Sequence, residues 1–222
     1  MVKYIYIFII GIICNSCGFF IVPKHVKQNF TYCYDGLDTG IDSLINIEGY
    51  YDFTSKDCPS CYIRIMFYKD GTCVIGSFYS KGESVQSYFE NIVNHDPKGL
   101  YYFHKYKDWG CYIIKGDTIK LQKIDRPVGW ESDARWFLEE IWYKILDNKT
   151  IVGICPSKRP SPYSYDSYED SYMSRYGVPA KFTHLTVRPD SNCSLKQKKW
   201  FWCSEEDWAE YKIQLKKNKK NK

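Results

Sequence analysis

No glycine-rich phosphate loop and no Gly-x-Ser-x-Gly elbow occurs in the 222 residues. P-loop nucleotide chemistry and α/β-hydrolase chemistry therefore lack their usual sequence support. Histidine is scarce, and His25, His95, His104 and His184 stand at no metal-ligand spacing. His104 follows Tyr101-Tyr102-Phe103 and reads as part of a strand. One Cys-x-x-Cys is present, Cys58-Pro59-Ser60-Cys61, without the second pair that a zinc site of this type uses. It precedes an alternating strand, so it lacks the helix N-terminus that lowers a redox thiol's pKa. Its plainest reading is a local disulfide or two structural thiols. Asp166, Glu169 and Asp170 do not follow the order of an EF-hand loop. Glu139 and Glu140 are strand neighbours and point to opposite faces. Glu205 and Glu206 belong to a helix start. No nucleophile-base set and no carboxylate pair is visible, so we expect no catalytic residue, no metal and no cofactor.

An excess of charge is also missing from the body of the chain. The net charge is +5, and Lys216, Lys217, Lys219, Lys220 and Lys222 crowd the last seven residues. Without these and Lys3, 25 basic residues face 26 acidic ones. A near-neutral body is not a nucleic-acid-binding profile. The lysine tail reads as a solvated end, with attraction to an anionic membrane surface as the sharper alternative.

Long apolar runs are lacking except at the start. Met1-Val2-Lys3 carries one positive charge, and Tyr4 to Ile13 is almost wholly apolar. Cys14-Asn15-Ser16-Cys17 follows. This is the layout of a secretory signal. Ser16 before Cys17 is similar to the looser lipobox of Bacteroidetes lipoproteins, with Cys17 as the lipidated first residue. Cys14 fits less well, because bulky Ile13 precedes it. Plain cleavage without lipid and an uncleaved anchor from Tyr4 to Val22 are the alternatives. All three place the remainder outside the cytoplasm. The expected address is the cell envelope, lipid-anchored in the outer membrane and facing the periplasm, or else secreted. The expected organisation is a signal over 1–16, a lipidated tether over 17–44, one domain over 45–217, and a basic tail over 218–222.

Aromatic residues and cysteines are plentiful. The 21 Tyr, 12 Phe and 7 Trp lean towards sheet. Eight cysteines remain after Cys14 and Cys17, an even number suited to an exported chain. Their pairing does not follow from sequence. Cys58, Cys61, Cys193 and Cys203 are the candidates, the last two able to clip the C-terminal region.

Strand signals repeat from Ile47 onward. Tyr62 to Tyr68 runs into Asp70-Gly71 and returns through Thr72 to Tyr79, a hairpin. Trp109 to Ile114 turns at Lys115-Gly116-Asp117 into the cleanly alternating Thr118 to Ile124. Glu140 to Leu146 turns at Asp147-Asn148-Lys149 into Thr150 to Ile154. Lys181 to Arg188 alternates again. Helices are expected over Ser84–Asn94 and over about Ser204–Lys217, the second opened by a near capping box. Successive hairpins imply a mainly β, antiparallel up-and-down meander of about eight strands, closed into a barrel with a C-terminal α-helix.

Gly49-Tyr50-Tyr51, Phe67-Tyr68-Lys69-Asp70-Gly71, Gly110-Cys111-Tyr112 with Gly116-Asp117-Thr118-Ile119, and Tyr143 to Asp147 resemble lipocalin-like lipoproteins of Bacteroidetes. Trp200-Phe201-Trp202 with Glu206-Asp207-Trp208 is similar to their endings. The likeness spans roughly Ile45 to Trp208, and Gly49-Tyr50-Tyr51 stands where lipocalins have Gly-any-Trp. The resemblance implies a calyx-type barrel on the outer membrane and no catalytic residues. The expected role is a noncatalytic lipoprotein binding a small apolar or amphipathic ligand in the barrel mouth. The alternative is an accessory or inhibitory envelope protein with a filled barrel. Tyr165, Tyr168, Tyr172 and Tyr176, at helical spacing in a Ser- and acid-rich segment, are the candidate ligand or partner contacts.

Overall fold

The computed structural model describes residues 22–54, 62–78, 83–125, 136–155 and 177–220. Eight strands follow one another around a closed antiparallel barrel, each paired with its sequence neighbour and the last with the first. They are β1 Gly49–Thr54, β2 Tyr62–Phe67, β3 Thr72–Gly76, β4 Asp108–Lys115, β5 Thr118–Asp125, β6 Phe137–Asp147, β7 Thr150–Cys155 and β8 Pro179–His184. Closure occurs where Gly49, Tyr50, Tyr51 and Asp52 face His184, Thr183, Phe182 and Lys181. No strand edge is left unpaired by this topology. The expected up-and-down barrel with a C-terminal helix is present.

Three short turns gather at one end, the base. Gly71 and Gly116 take left-handed φ angles of 83° and 61° there, a conformation that side chains other than glycine resist. Asn148-Lys149 makes the third turn. All the longer connections leave from the opposite end. One of them carries α2 Val85–Asn94 and α3 Pro97–Tyr106. Ser84 caps α2 by accepting from the Ser87 amide, and Asp96 caps α3 by accepting from the Gly99 amide.

Strand alternation sorts the side chains. Tyr51, Phe53, Ile65, Phe67, Ile119, Leu121, Ile141, Tyr143 and Ile151 fill the interior. The rings touch edge to face, as in Tyr51 with Phe67 (6.1 Å) and Phe67 with Tyr112 (5.3 Å). The base is plugged by Ile41, Ile45 and Ile47, of which Ile41 opens a single 3-10 turn. The Tyr51 hydroxyl donates to the carbonyls of Asn46 and Asn148 and ties the plug to the β6–β7 turn. Arg188, just past β8, donates to the Ile47 and Phe67 carbonyls and lies 4.4 Å over the Tyr68 ring. On the outer face of β2 to β4, Met66, Tyr68, Val74 and Trp109 meet Phe89 and Ile92 of α2 and Phe103 of α3.

Residues 22–44 depart from the expected tether. From Val22 the chain packs on the barrel wall, with α1 spanning Lys24–Gln28. Val26, Phe30, Tyr34 and Ile41 are buried. Phe30 and Tyr34 join Phe201 and Cys111 in a third cluster, flanked by Trp200 and Trp202. Gln122 Oε1 on β5 accepts from the Thr31 and Tyr32 amides. The stretch lacks periodicity because it is irregular backbone, yet its apolar residues are anchored one by one.

A disulfide joins Cys33 to Cys203. Cys203 therefore pairs with Cys33 and not with Cys193, which is a buried thiol in the outer cluster. The parallel bridge of Tyr34 with Trp202 sets Cys33 beside Cys203. The C-terminal helix, α4, runs Glu205–Lys220, with acids in its first turn and Ser204 Oγ accepting from the Glu206 and Asp207 amides. His104 lies in α3, not in a strand. The aromatic run that precedes it suits a sheet, but Asp96-Pro97 starts a helix first.

Candidate functional site

Cys17, Cys58, Cys61, Tyr165, Tyr168, Tyr172 and Tyr176 lie outside the described residues. The chemistry that the described residues bring together is elsewhere, in two places.

The first is at the base. The β2–β3 turn presents Asp70, side chain about one-fifth exposed, to the C-terminal segment. Lys196 Nζ stands 2.6 Å from Asp70 Oδ2, and Ser191 Oγ donates to the same oxygen at 2.6 Å. Asp70 Oδ1 accepts from the Thr72 hydroxyl and amide. Tyr34 Oη lies 3.4 Å from Oδ2, and Lys196 Nζ also stands 4.8 Å from the Tyr34 ring. Burial alone would raise the Asp70 carboxyl. The Lys196 charge and the hydrogen bonds from Lys196, Ser191 and Thr72 outweigh it and hold the carboxyl below its ordinary value. Burial, and then Asp70 itself, push the Tyr34 phenol well up.

A groove of about 240 Å³ opens beside this hub, lined by Cys33, Tyr34, Asp35, Thr39, Asp70, Gly71, Tyr112, Ile113 and Ile114. Its polar groups are already engaged. Thr39 Oγ1 and Tyr112 Oη are 2.8 Å apart, and Tyr112 Oη donates to the Tyr68 carbonyl at 2.6 Å. Ser191 and Lys196 stand 3.0 Å apart, a spacing that nucleophile-base pairs use. Here Lys196 is paired with a carboxylate and acts as donor, and the serine proton is already given to Asp70. The arrangement acts as a clasp between the β2–β3 turn and the segment Ser191–Lys196.

The clasp has a pH signature. With the folded Asp70 carboxyl depressed, its stabilising contribution is complete above the unfolded carboxylate range, about pH 4, and fades as pH falls through the folded value. Comparing urea unfolding of the protein and of Asp70→Asn should show a stability gap that is constant from neutral pH to about pH 5 and closes below about pH 4. A gap that stays constant into acid would show that Asp70 is not depressed.

The second place is inside the barrel. Lys123 faces Glu139 in the β5–β6 register, one step beyond the Leu121–Ile141 pair. Alternation puts both on the apolar interior face, towards the end away from the base. The Glu139 side chain is wholly buried and Lys123 nearly so, with Nζ 3.0 Å from Oε2. Neither oxygen of Glu139 receives a directed hydrogen bond, so the contact is a bare charge pair. Glu140, on the opposite face as expected, accepts from Gln122 Nε2 and Trp142 Nε1.

The free thiols Cys73, Cys111 and Cys193 are buried. Burial pushes Cys73 and Cys111 well up and Cys193 up to about 11. No group of three or more metal-ligating side chains is brought together among the described residues. No described helix is long and apolar enough to cross a membrane.

Fold and sites together define a closed eight-stranded antiparallel barrel, plugged at its base and clipped by a disulfide. Compared with protein-family models, with curated proteins and with solved structures, the chain gives no match.

Proposed function

We propose that the chain is a noncatalytic envelope lipoprotein, anchored through Cys17, whose barrel is a solid accessory or interaction module. The observation that carries this reading is the interior. From the isoleucine plug to the Leu121–Ile141 level, the large side chains are buried against one another. An eight-stranded barrel is about wide enough for its own side chains to fill it. Such a scaffold offers its surface and its end loops to a partner, and Tyr165, Tyr168, Tyr172 and Tyr176 are the proposed contacts.

One observation favours the second reading, a small amphipathic ligand held in the barrel. Both buried oxygens of Glu139 lack a directed hydrogen bond, and the Lys123 ammonium stands beside Oε2, at 3.0 Å. A ligand with an amine or hydroxyl could satisfy them at the end away from the base.

Native mass spectrometry of the purified protein separates the two. The solid-barrel reading expects the polypeptide with its covalent lipid and nothing else. A small molecule that copurifies and leaves on collisional activation would establish the ligand reading instead. For the anchor, Cys17→Ala should abolish incorporation of a radiolabelled fatty acid, and persistent labelling would refute the site.

A further inference from the structure

The outer face of α3 is unusual for a helix packed on a barrel. Lys98, Tyr101, Tyr102, Lys105 and Tyr106 recur at helical spacing on the side opposite buried Phe103. The three tyrosines are 46–62% exposed. Their rings touch, Tyr101 edge-on to Tyr102 at 5.8 Å and Tyr102 tilted against Tyr106 at 5.5 Å. Lys105 Nζ donates to the Tyr101 hydroxyl at 2.8 Å and sits 5.0 Å from the Tyr106 ring centre. Within Pro97–Tyr106 the helix carries no acidic residue.

α4 lies nearby through a common neighbour. Ser194 Oγ donates to the Lys105 carbonyl, and His104 pairs with Asp190. The same segment meets α4, where Tyr211 Oη reaches Asn192. Tyr211 also packs, tilted, on Trp202 at 5.1 Å, and Trp202 lies against the cluster that holds Phe30 of the N-terminal segment. The acids of α4, Glu205, Glu206, Asp207 and Glu210, occupy its first turns, and Lys199 pairs with Glu205. Lys212, Lys216, Lys217, Lys219 and Lys220 follow on the same helix.

From these placements we infer that the side of the barrel bearing α3 and α4 rests on an anionic phospholipid surface. Tyrosines settle at the headgroup level of a bilayer, and lysines are drawn to anionic lipid. The inference rests on the lipid-anchor reading for the body's distance from the membrane. Cys17 is five residues from Val22, where the packed body begins, so the body lies within roughly 18 Å of the lipid. The anchor holds the body near the lipid without setting its orientation, and a basic, tyrosine-bearing surface would set which side faces the bilayer.

The test uses the unlipidated mature polypeptide, Cys17–Lys222, which keeps every described element and the disulfide. It is sedimented with phosphatidylcholine vesicles, with and without about 30 mol % phosphatidylglycerol. Binding should be at least about tenfold stronger with the anionic lipid and should fall away between roughly 0.05 and 0.5 M salt. Tyr101→Ser, Tyr102→Ser and Tyr106→Ser together should weaken it about fivefold, and Lys98→Gln with Lys105→Gln by a similar factor. All five side chains are exposed, and an unchanged melting temperature verifies the fold. Equal binding to neutral vesicles, or none to anionic ones, overturns the inference. So does heparin binding of equal strength that ignores the tyrosines, which would make the surface a general polyanion site. Vesicle binding by this polypeptide together with failed fatty-acid labelling at Cys17 would remove the anchor and leave the surface standing.

Discussion

Replacing Lys123 with alanine should lower the unfolding free energy by about 3–5 kcal/mol, because it strands a wholly buried carboxylate. Glu139 stands within 3.0 Å of the ammonium and receives no directed hydrogen bond. The pair is not a large source of stability in itself, since both charges have left water. Replacing both residues by apolar ones of similar size, Lys123→Met with Glu139→Leu, should bring stability back to within about 1 kcal/mol of the parent or above it. Glu139→Leu alone should cost less than Lys123→Ala. Lys123 retains Asp108 at 3.7 Å, whose half-exposed carboxylate gives the ammonium a route towards water. With Lys123→Met alone added, urea unfolding of the parent, the two single variants Lys123→Met and Glu139→Leu and their combination closes a double-mutant cycle and gives the coupling. A cost below about 1 kcal/mol for Lys123→Ala would mean that water or a bound molecule already solvates Glu139. That outcome would favour the ligand reading of the barrel.

The hairpins were legible because three signals coincided at each. Apolar alternation, a glycine or asparagine turn and a second alternating run mark Tyr62 to Gly76 and Trp109 to Asp125, and the register bears this out. An apolar face at helical spacing made α2 legible, and capping chemistry at Ser204 made α4 legible. α3 was misread because aromatic content was weighed above Asp96-Pro97, whose cap decides the local structure. The packed segment 22–44 left no periodic trace, since its burial is set by single contacts such as Gln122 with Thr31. The Lys123–Glu139 pair did have a signal. Lys123 continues the Ile119, Leu121 alternation, and Glu139 precedes Ile141 and Tyr143 on the same face. A charge in phase with an apolar face needs an opposite charge facing it, and that rule would have found the pair. The Asp70 hub had none, because Ser191 and Lys196 meet the turn only through tertiary folding, about 120 residues along the chain.

Removing the disulfide, by Cys33→Ala with Cys203→Ala, should cost about 4 kcal/mol and lower the melting temperature by on the order of 10 °C. The two cysteines are 170 residues apart, so the bond closes nearly the whole described chain into one loop. Loop-closure entropy for that length comes to about 5 kcal/mol, and native disulfides commonly deliver 2–5. The loss should also have a location. Cys33 is flanked by Phe30 and Tyr34, which pack on Phe201, Trp200 and Trp202. Their backbone link is two hydrogen bonds, from the Tyr34 amide to Phe201 and from the Cys203 amide to Tyr34. Without the covalent bond these contacts must hold an irregular segment against its own chain entropy, about 1–2 kcal/mol for each ordered residue. The N-terminal segment should therefore open before the barrel does. Amide exchange would report it, with protection lost at Thr31, Tyr32 and Tyr34 while β4 to β6 keep theirs. Uniform loss across both regions would show that the clip and the barrel unfold as one unit.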